Sequence, residues 1–478
     1  MMDAHSLRAE LLRLDRRQSA PLYQQICQRL RTAIEQGLLQ PGERLASARS
    51  LASELGVARG TVELAYGQLA GEGYLLARGQ AGTVVSPALP RRVPVRGAST
   101  AGRVAGELPL ARAVAPPPFQ LGIPAFDAFP RKLWARLAAR RVRATTIADM
   151  NYGEPCGHAP LREAIAAYLL VARGVACRPA QVFVTAGHRA SLALVSRALL
   201  ARGNRAWVEE PGFAPTRDVL QAEGHRVVAV PVDEQGLRVA HGRRRAPDAR
   251  LAIVTPSHQA PLGCSMSMAR RLELLAWAQA ARAWIVEDDY DGEFRYAGHP
   301  LPALKSLDRE DRVLYAGTFS KVLHPGLALA YLVVPEPLVE RFARAARTVS
   351  NGPAQLTQAI VCDFMREGHL ARHVKKMRLL YGRRRATLAA ELQRAFGDAV
   401  RIELRGGGMH LLARFTGLVD DRTLARRAQA AGLNGQALSE RYAGKARTEG
   451  LLMGFTNLAS AAETRRLVAR LHAALIVG

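Results

Sequence analysis

The sequence predicts a two-domain α/β protein, with a small helical domain closed by a hairpin ahead of a large domain of alternating strands and helices. Three observations predict it. Residues 21–87 hold three helix-period segments punctuated by glycine, then two short strand runs. Residues 87–118 are dense in proline with scattered arginine and read as a semi-stiff linker. From Phe119 onward, short apolar strands alternate with amphipathic helices, the pattern of an α/β layer structure. The expected domains are therefore 1–86, 87–118 and 119–478. A chain of 478 residues with 49% hydrophobic content has material for cores of this size, and excludes a disordered or collagen-like chain.

The elements follow in order. Tyr23, Ile26, Leu30, Ala33, Ile34 and Leu38 repeat at helical spacing, and Gly37 with Pro41-Gly42 stops that helix. Ser47 is placed to cap a second short helix carrying Leu51 and Leu55, which Gly56 ends. A third helix starts near Ala58 and lines up Val62, Ala65, Tyr66 and Leu69. Tyr74 to Leu76 and Thr83 to Val85, joined by a turn at Gly79 to Gly82, read as a hairpin. In the large domain the expected strands are 181–184, 206–208, 251–254, 284–286, 313–315 and 331–334. His410, after Gly406 to Gly408, reads as a turn entering a strand, with a site role left open.

Charge is the odd feature of the composition. There are 67 basic residues against 41 acidic, a net +26, which favours a polyanionic partner. Residues 1–103 hold only 14 basic and 8 acidic residues, so the excess does not mark the small domain as the binder. Arg-rich composition accounts for it equally well. The five cysteines are scattered without metal spacing and read as reduced thiols. The longest uncharged apolar stretch, 322–335, is interrupted by His, Gly and Pro, so a soluble cytoplasmic protein without a membrane span is expected.

Three helices and a hairpin are the order of a winged helix-turn-helix. Arg59, Thr61 and Glu63 lie off the apolar stripe at the start of the third helix, where polar donors would meet base edges or phosphates. Arg49 opens the second helix, and Arg78 lies at the hairpin. The same pattern also fits a small helical domain that docks on protein. The stretch GLLQPGERLASARSLASELGVARGTVELAYGQLAGEGYL, 37–75, closely resembles the DNA-binding domain of the GntR family of bacterial regulators. The resemblance implies double-stranded promoter DNA as partner, with Arg49, Arg59, Thr61 and Gly82 at contact positions. Two departures stand out: Ala46 replaces the usual proline, and Ala58 replaces a serine hydroxyl.

Only six of the basic residues are lysines, and Lys321 sits in Ala316-Gly317-Thr318-Phe319-Ser320-Lys321, just past a strand. A lysine at a strand end among hydroxyls and glycine is where a carbonyl cofactor is held as a Schiff base. Pyridoxal phosphate also needs a carboxylate for its ring nitrogen, a hydroxyl for its ring oxygen, a clamp on its face and amides for its phosphate. Asp288 and Tyr290 follow another strand, 33 and 31 positions before Lys321. Thr185-Ala186-Gly187-His188 opens a helix and offers amides, and Phe213 offers a ring to stack. The acidic run 287–291 alternatively suits a metal, though no histidine beside it completes a shell.

These pieces, in the blocks VTAGHRASL, VEEPGFAP, IVEDDYDGEFRY and YAGTFSKVLHPGLALAY, resemble the fold-type I, aspartate-aminotransferase-like superfamily. The order of reader, linker and this domain resembles the MocR subfamily of GntR regulators. The resemblance implies Lys321 as the Schiff-base lysine, Asp288 on the pyridine nitrogen and Tyr290 on the ring hydroxyl. It implies Gly187, His188, Thr318 and Ser320 around the phosphate, and Phe213 stacked on the ring. It also implies Tyr152 reaching across a head-to-tail homodimer. The implied role is a regulator that senses pyridoxal phosphate, or its adduct with an amine or amino acid, rather than an enzyme that turns over. An aminotransferase with a DNA-binding appendage, and a regulator that has lost the cofactor, stay open.

Further departures bear on this. Ala328 stands where the subfamily usually carries an arginine, a loss worth about 1.5–3 kcal/mol of phosphate binding. Ala260 replaces a bulky aromatic, and Leu451 to Phe455 lacks the arginine that grips a substrate carboxylate in aminotransferases. Arg189 is a candidate to substitute for the missing cation.

Overall fold

The structure, a computed structural model, describes residues 14–16, 18, 20–79, 82–89, 115–297, 302–349, 352–445 and 448–476. The chain divides into two compact units, Met1–Arg112 and Ala113–Gly478. Most of the expected linker, 90–114, lies outside the described residues. Its two ends belong elsewhere. Leu89 packs on the core of the first unit. Pro117 O accepts from Asn457 Nδ2 at 3.2 Å and Pro118 O from the Asn434 amide at 2.8 Å, which ties both prolines to the second unit.

In the first unit, α1 (Leu22–Glu35), α2 (Ala48–Leu55) and α3 (Arg59–Gly71) bury the apolar residues that share each helix face. Ile26, Leu30, Leu51, Val62, Ala65 and Leu69 form one core, closed by Leu75 and Val85 of the hairpin strands β1 (Leu75–Ala77) and β2 (Thr83–Val85). β1 and β2 pair antiparallel, and Arg44 bridges to Val84, so the chain before α2 adds a third edge to the wing. Ser47 caps α2 by accepting from the Ser50 amide at 3.1 Å. Ala58 at the start of α3 has no such oxygen. Ala58→Ser should therefore stabilise α3 by about 0.5–1 kcal/mol, read as slower amide exchange in its first turn.

The second unit is built on an eight-stranded sheet. Its strands are β3 (Val182–Thr185), β4 (Arg205–Glu210), β5 (Arg226–Asp233), β6 (Gly236–Leu237), β7 (Leu251–Val254), β8 (Trp284–Asp289), β9 (Val313–Thr318) and β10 (Ala330–Val333). The order is β3-β10-β9-β8-β7-β4-β5-β6. β9, β8, β7, β4 and β5 run parallel, whereas β10 lies antiparallel between β9 and β3. Side chains alternate between two helix-covered faces. Val286 and Leu314 pack with the helix His188–Leu199 on one face, while Ile285 and Val313 pack with Met268–Ala280 on the other.

A second, four-stranded antiparallel sheet follows: β11 (Val400–Glu403), β12 (His410–Phe415), β13 (Gln436–Ala437) and β14 (Leu451–Gly454), in the order β11-β12-β14-β13. It packs on the helices His369–Phe396, Asp421–Ala430 and Ala461–Ile476. The expected strands all occur, 251–254 to the residue and the others shifted by one residue or extended by up to three. β5 is not among the expected strands. It holds Pro231 at its last pairing with β4, opposite Glu210, and its final two residues pair with β6. Among the described residues no helix is long and apolar enough to cross a membrane.

Candidate functional site

The site collects at the C-terminal ends of β3, β4, β7, β8 and β9, where a parallel sheet leaves a crevice. A cavity of about 310 Å³ lies there, and Lys321, Asp288, Tyr290, His188, Phe213, Thr318 and Ser320 all line it. The register explains part of this convergence. Ala330 of β10 faces Thr185 on one side and Thr318 on the other, so the turns after β3 and β9 become neighbours.

Lys321 sits on the four-residue helix Phe319–Val322 that Thr318 caps by accepting from the Ser320 amide at 3.1 Å. Its Nζ donates to Gly122 O at 2.9 Å. Burial holds its pKa below the usual lysine range, with Asp291 and Asp288 opposing. The amine is thereby biased toward the neutral, nucleophilic form. Asp288 is buried, and burial raises its pKa against the pull of His188. The His188 Nδ1 lies 3.4 Å from Asp288 Oδ2, and its Nε2 shares a hydrogen bond with Thr216 Oγ1 at 3.1 Å.

Gly187 starts the helix His188–Leu199 at φ +99°, a left-handed value that a side chain would resist, so the first-turn amides open beside the cavity. The resemblance implies His188 around the phosphate; its amide lies in the first turn of this helix, while its side chain points elsewhere. The imidazole turns back from the helix start to the Asp288 carboxylate and meets Phe213 edge-on, with ring centroids 5.6 Å apart. Phe213 itself is half exposed at the cavity. Tyr152 is not among the lining residues. It is 85% exposed in the single chain, in an exposed apolar stretch with Val142, Ile147 and Met150. Arg189 is exposed and is not among the residues that line the cavity. Ala328 is exposed with φ +46°, a left-handed residue ending the turn Pro325–Leu327.

Sequence reasoning missed several contributors. Arg441 lines the cavity from the turn Ser439–Arg441 of the second lobe, the part of the second unit built on the four-stranded sheet, although the Leu451 to Phe455 segment carries no arginine. Its carbonyl accepts from the Gly212 amide and from Arg217 Nη1, both at 3.2 Å, which pins this turn to the loop after β4. Its guanidinium meets Gln436 Oε1. No spacing in the sequence announces that contact. His410 also lines the cavity, and burial together with His258 pushes its pKa down to about 4. Gly408, at φ +96°, explains part of the glycine run. A side chain there would come within 2.2 Å of His258.

In the first unit, Arg59 is exposed and paired with Glu63 at 2.7 Å on α3. Arg49 is exposed on α2, and Thr61 is partly buried on α3. The Arg78 amide donates to Gly82 O at 2.8 Å across the base of the wing.

Comparison with known proteins adds the family. Residues 22–85 match the model of the bacterial regulatory proteins of the gntR family, and residues 122–442 match aminotransferase class I and II. The chain is 38% identical to the probable rhizopine catabolism regulatory protein MocR of Rhizobium meliloti, over 94% of this chain and 92% of that one. The chain belongs to the MocR subfamily of GntR-type transcriptional regulators. This regulator is also 36% identical to the pyridoxine biosynthesis regulator PdxR of Corynebacterium glutamicum, over 90% of this chain and 91% of that protein. Its large unit resembles the solved α-aminoadipate aminotransferase LysN of Thermus thermophilus. That match has a TM-score of 0.67 and 27% identity, over 75% of this chain and 91% of that one.

Proposed function

We propose that this regulator binds promoter DNA through α3 and the wing, and that its large unit reads pyridoxal phosphate, alone or joined to an amine or amino acid. The reading is of a cytoplasmic sensor. The observation that carries it is the convergence of Lys321 with Asp288 and Tyr290 in one cavity. The residues fit the group. Asp288 is a buried carboxylate suited to accept from a ring N–H, and Phe213 offers an aromatic wall. The helix start at Gly187, with Thr318 and Ser320, offers donors to a phosphate. Bound pyridoxal phosphate would supply an aldehyde for primary amines and an electron-withdrawing ring. Around it, Lys321 would present the amine, Asp288 would hold positive charge on the ring, and Arg441 would offer its guanidinium to an effector carboxylate.

The exposed apolar stretch with Val142, Ile147, Met150 and Tyr152 supports a homodimer, head-to-tail, in which Tyr152 serves the second copy. The test is DNA binding by fluorescence anisotropy, using the promoter region upstream of the regulator's own gene, with pyridoxal phosphate and amino acids titrated in. A change in DNA affinity on adding either supports the sensor, and indifference to both refutes it. Arg441→Gln should weaken the response to carboxylate-bearing amines about tenfold or more while sparing amines without a carboxylate.

A second reading, an aminotransferase with a DNA-binding appendage, draws on the same Arg441. Sustained keto-acid turnover with an amino donor would favour it, and a single turnover or none would favour the sensor.

A further inference from the structure

Tyr290 follows β8 directly, and its phenol is buried against a pair of side chains that do not line the cavity. Its hydroxyl lies 2.9 Å from His258 Nδ1. The same nitrogen lies 3.1 Å from Asp291 Oδ2, and both side chains are almost wholly buried. That Asp291 oxygen accepts no hydrogen bond from the described residues. His258 Nε2 lies on the far edge of the ring, and His258 and Asp291 both line a second, small cavity. Nε2 faces the glycine backbone, where a Cβ on Gly408 would stand 2.4 Å away and one on Gly263 3.0 Å away.

These contacts decide where the imidazole proton sits. An ionised carboxylate only accepts. With the proton on Nε2, the Nδ1 lone pair would face a bare, buried carboxylate oxygen. With the proton on Nδ1, it lies between Asp291 and the Tyr290 oxygen, and both contacts become favourable.

We infer that His258, held by Asp291, is a positioning residue that turns the Tyr290 hydroxyl proton into the cavity. A phenol has one proton. Once its oxygen accepts from His258, that proton can go to the Asp291 carboxylate, which also neighbours the phenol, or into the cavity; with Asp291 Oδ2 facing the Nδ1 proton it turns into the cavity, which Tyr290 lines together with Asp288 and Lys321. Ala260 and Pro261, which also line it, have no side-chain donor. Tyr290 therefore presents a fixed donor suited to an anionic or accepting ring oxygen. The other ring beside this pair is His410, whose centroid is 5.8 Å from that of His258 and whose Nε2 is engaged with Pro261 O at 2.9 Å. His410 is held neutral by burial, so it presents no cation to Asp291.

The inference rests on the proposed function for what occupies the cavity, not for where the proton lies. Nitrogen-15 NMR of the cofactor-free full chain, assigned with His258→Asn, should show His258 as the Nδ1–H tautomer. The Nε2–H tautomer would overturn the inference whatever the cavity binds. The second arm compares pyridoxal phosphate with 3-deoxypyridoxal phosphate, which lacks the ring hydroxyl. His258→Phe should weaken the first about tenfold and leave the second unchanged. His258→Asn, whose amide N–H reproduces the Nδ1 donor, should recover most of the loss. An equal loss for both compounds would mean a purely structural role and overturn the inference. If the wild-type chain binds neither compound, the reading of the cavity fails, while the tautomer still decides the place of the proton.

Discussion

Lys321→Ala is expected to abolish the visible absorbance that the wild-type regulator should develop with pyridoxal phosphate, and to lower its affinity for that compound well over tenfold. Lys321 is the one lysine among the residues lining the cavity. Lys305, the lysine nearest in sequence, is committed to Asp308 at 3.2 Å and does not line it. No second amine is therefore positioned to replace the first. The substitution also leaves Gly122 O without its donor, at a cost of about 1 kcal/mol, small beside the stability of a unit this size. Thermal unfolding should stay near the wild-type value. Persistence of the visible band in the variant would remove Lys321 from the site.

Arg59→Ala is expected to weaken promoter binding by about 1–3 kcal/mol, roughly 5- to 150-fold, without loosening the fold. Arg59 opens α3 and is exposed, held only by Glu63 four residues on. An exposed pair of this kind is worth about 0.3–0.5 kcal/mol, so DNA can take the guanidinium from Glu63 at small cost. A cation at a helix start opposes the helix dipole, so its removal does not destabilise α3. Glu63→Gln should act in the opposite direction and tighten binding, because it frees Arg59 and removes a negative charge from the DNA-facing side. Base reading and phosphate holding then separate. Loss of discrimination at one base position marks the former, and a uniform loss with a salt slope shallower by about one marks the latter. Unchanged affinity would take Arg59 out of the interface.

Both expectations start from residues that the sequence already singled out. α1 to α3 were legible because their apolar residues recur at helical spacing and glycines end them, which are local properties. β7 was legible to the residue because Leu251 to Val254 is a short buried run between polar segments. Lys321 stood out because lysine is rare in this chain and this one follows a strand. Of the second sheet only β12 was legible, as the strand that His410 enters. β11, β13 and β14 are short, and they become strands by pairing within that sheet.

The sequence by itself determined the two-unit architecture, the helix-turn-helix and the identity of the lysine, carboxylate and tyrosine at the cavity. Each rests on local periodicity or on a compact run of residues. Only the tertiary structure decided that Arg441 reaches the cavity from the second lobe, that His188 rests on Asp288, and that His258 and Asp291 stand behind Tyr290. Those contacts join residues up to 229 positions apart (Gly212 to Arg441), and their distances are set by strand order and close glycine packing, which one-dimensional spacing does not encode. The large net charge of +26 belongs to neither list, since it marked no site that the fold went on to assemble.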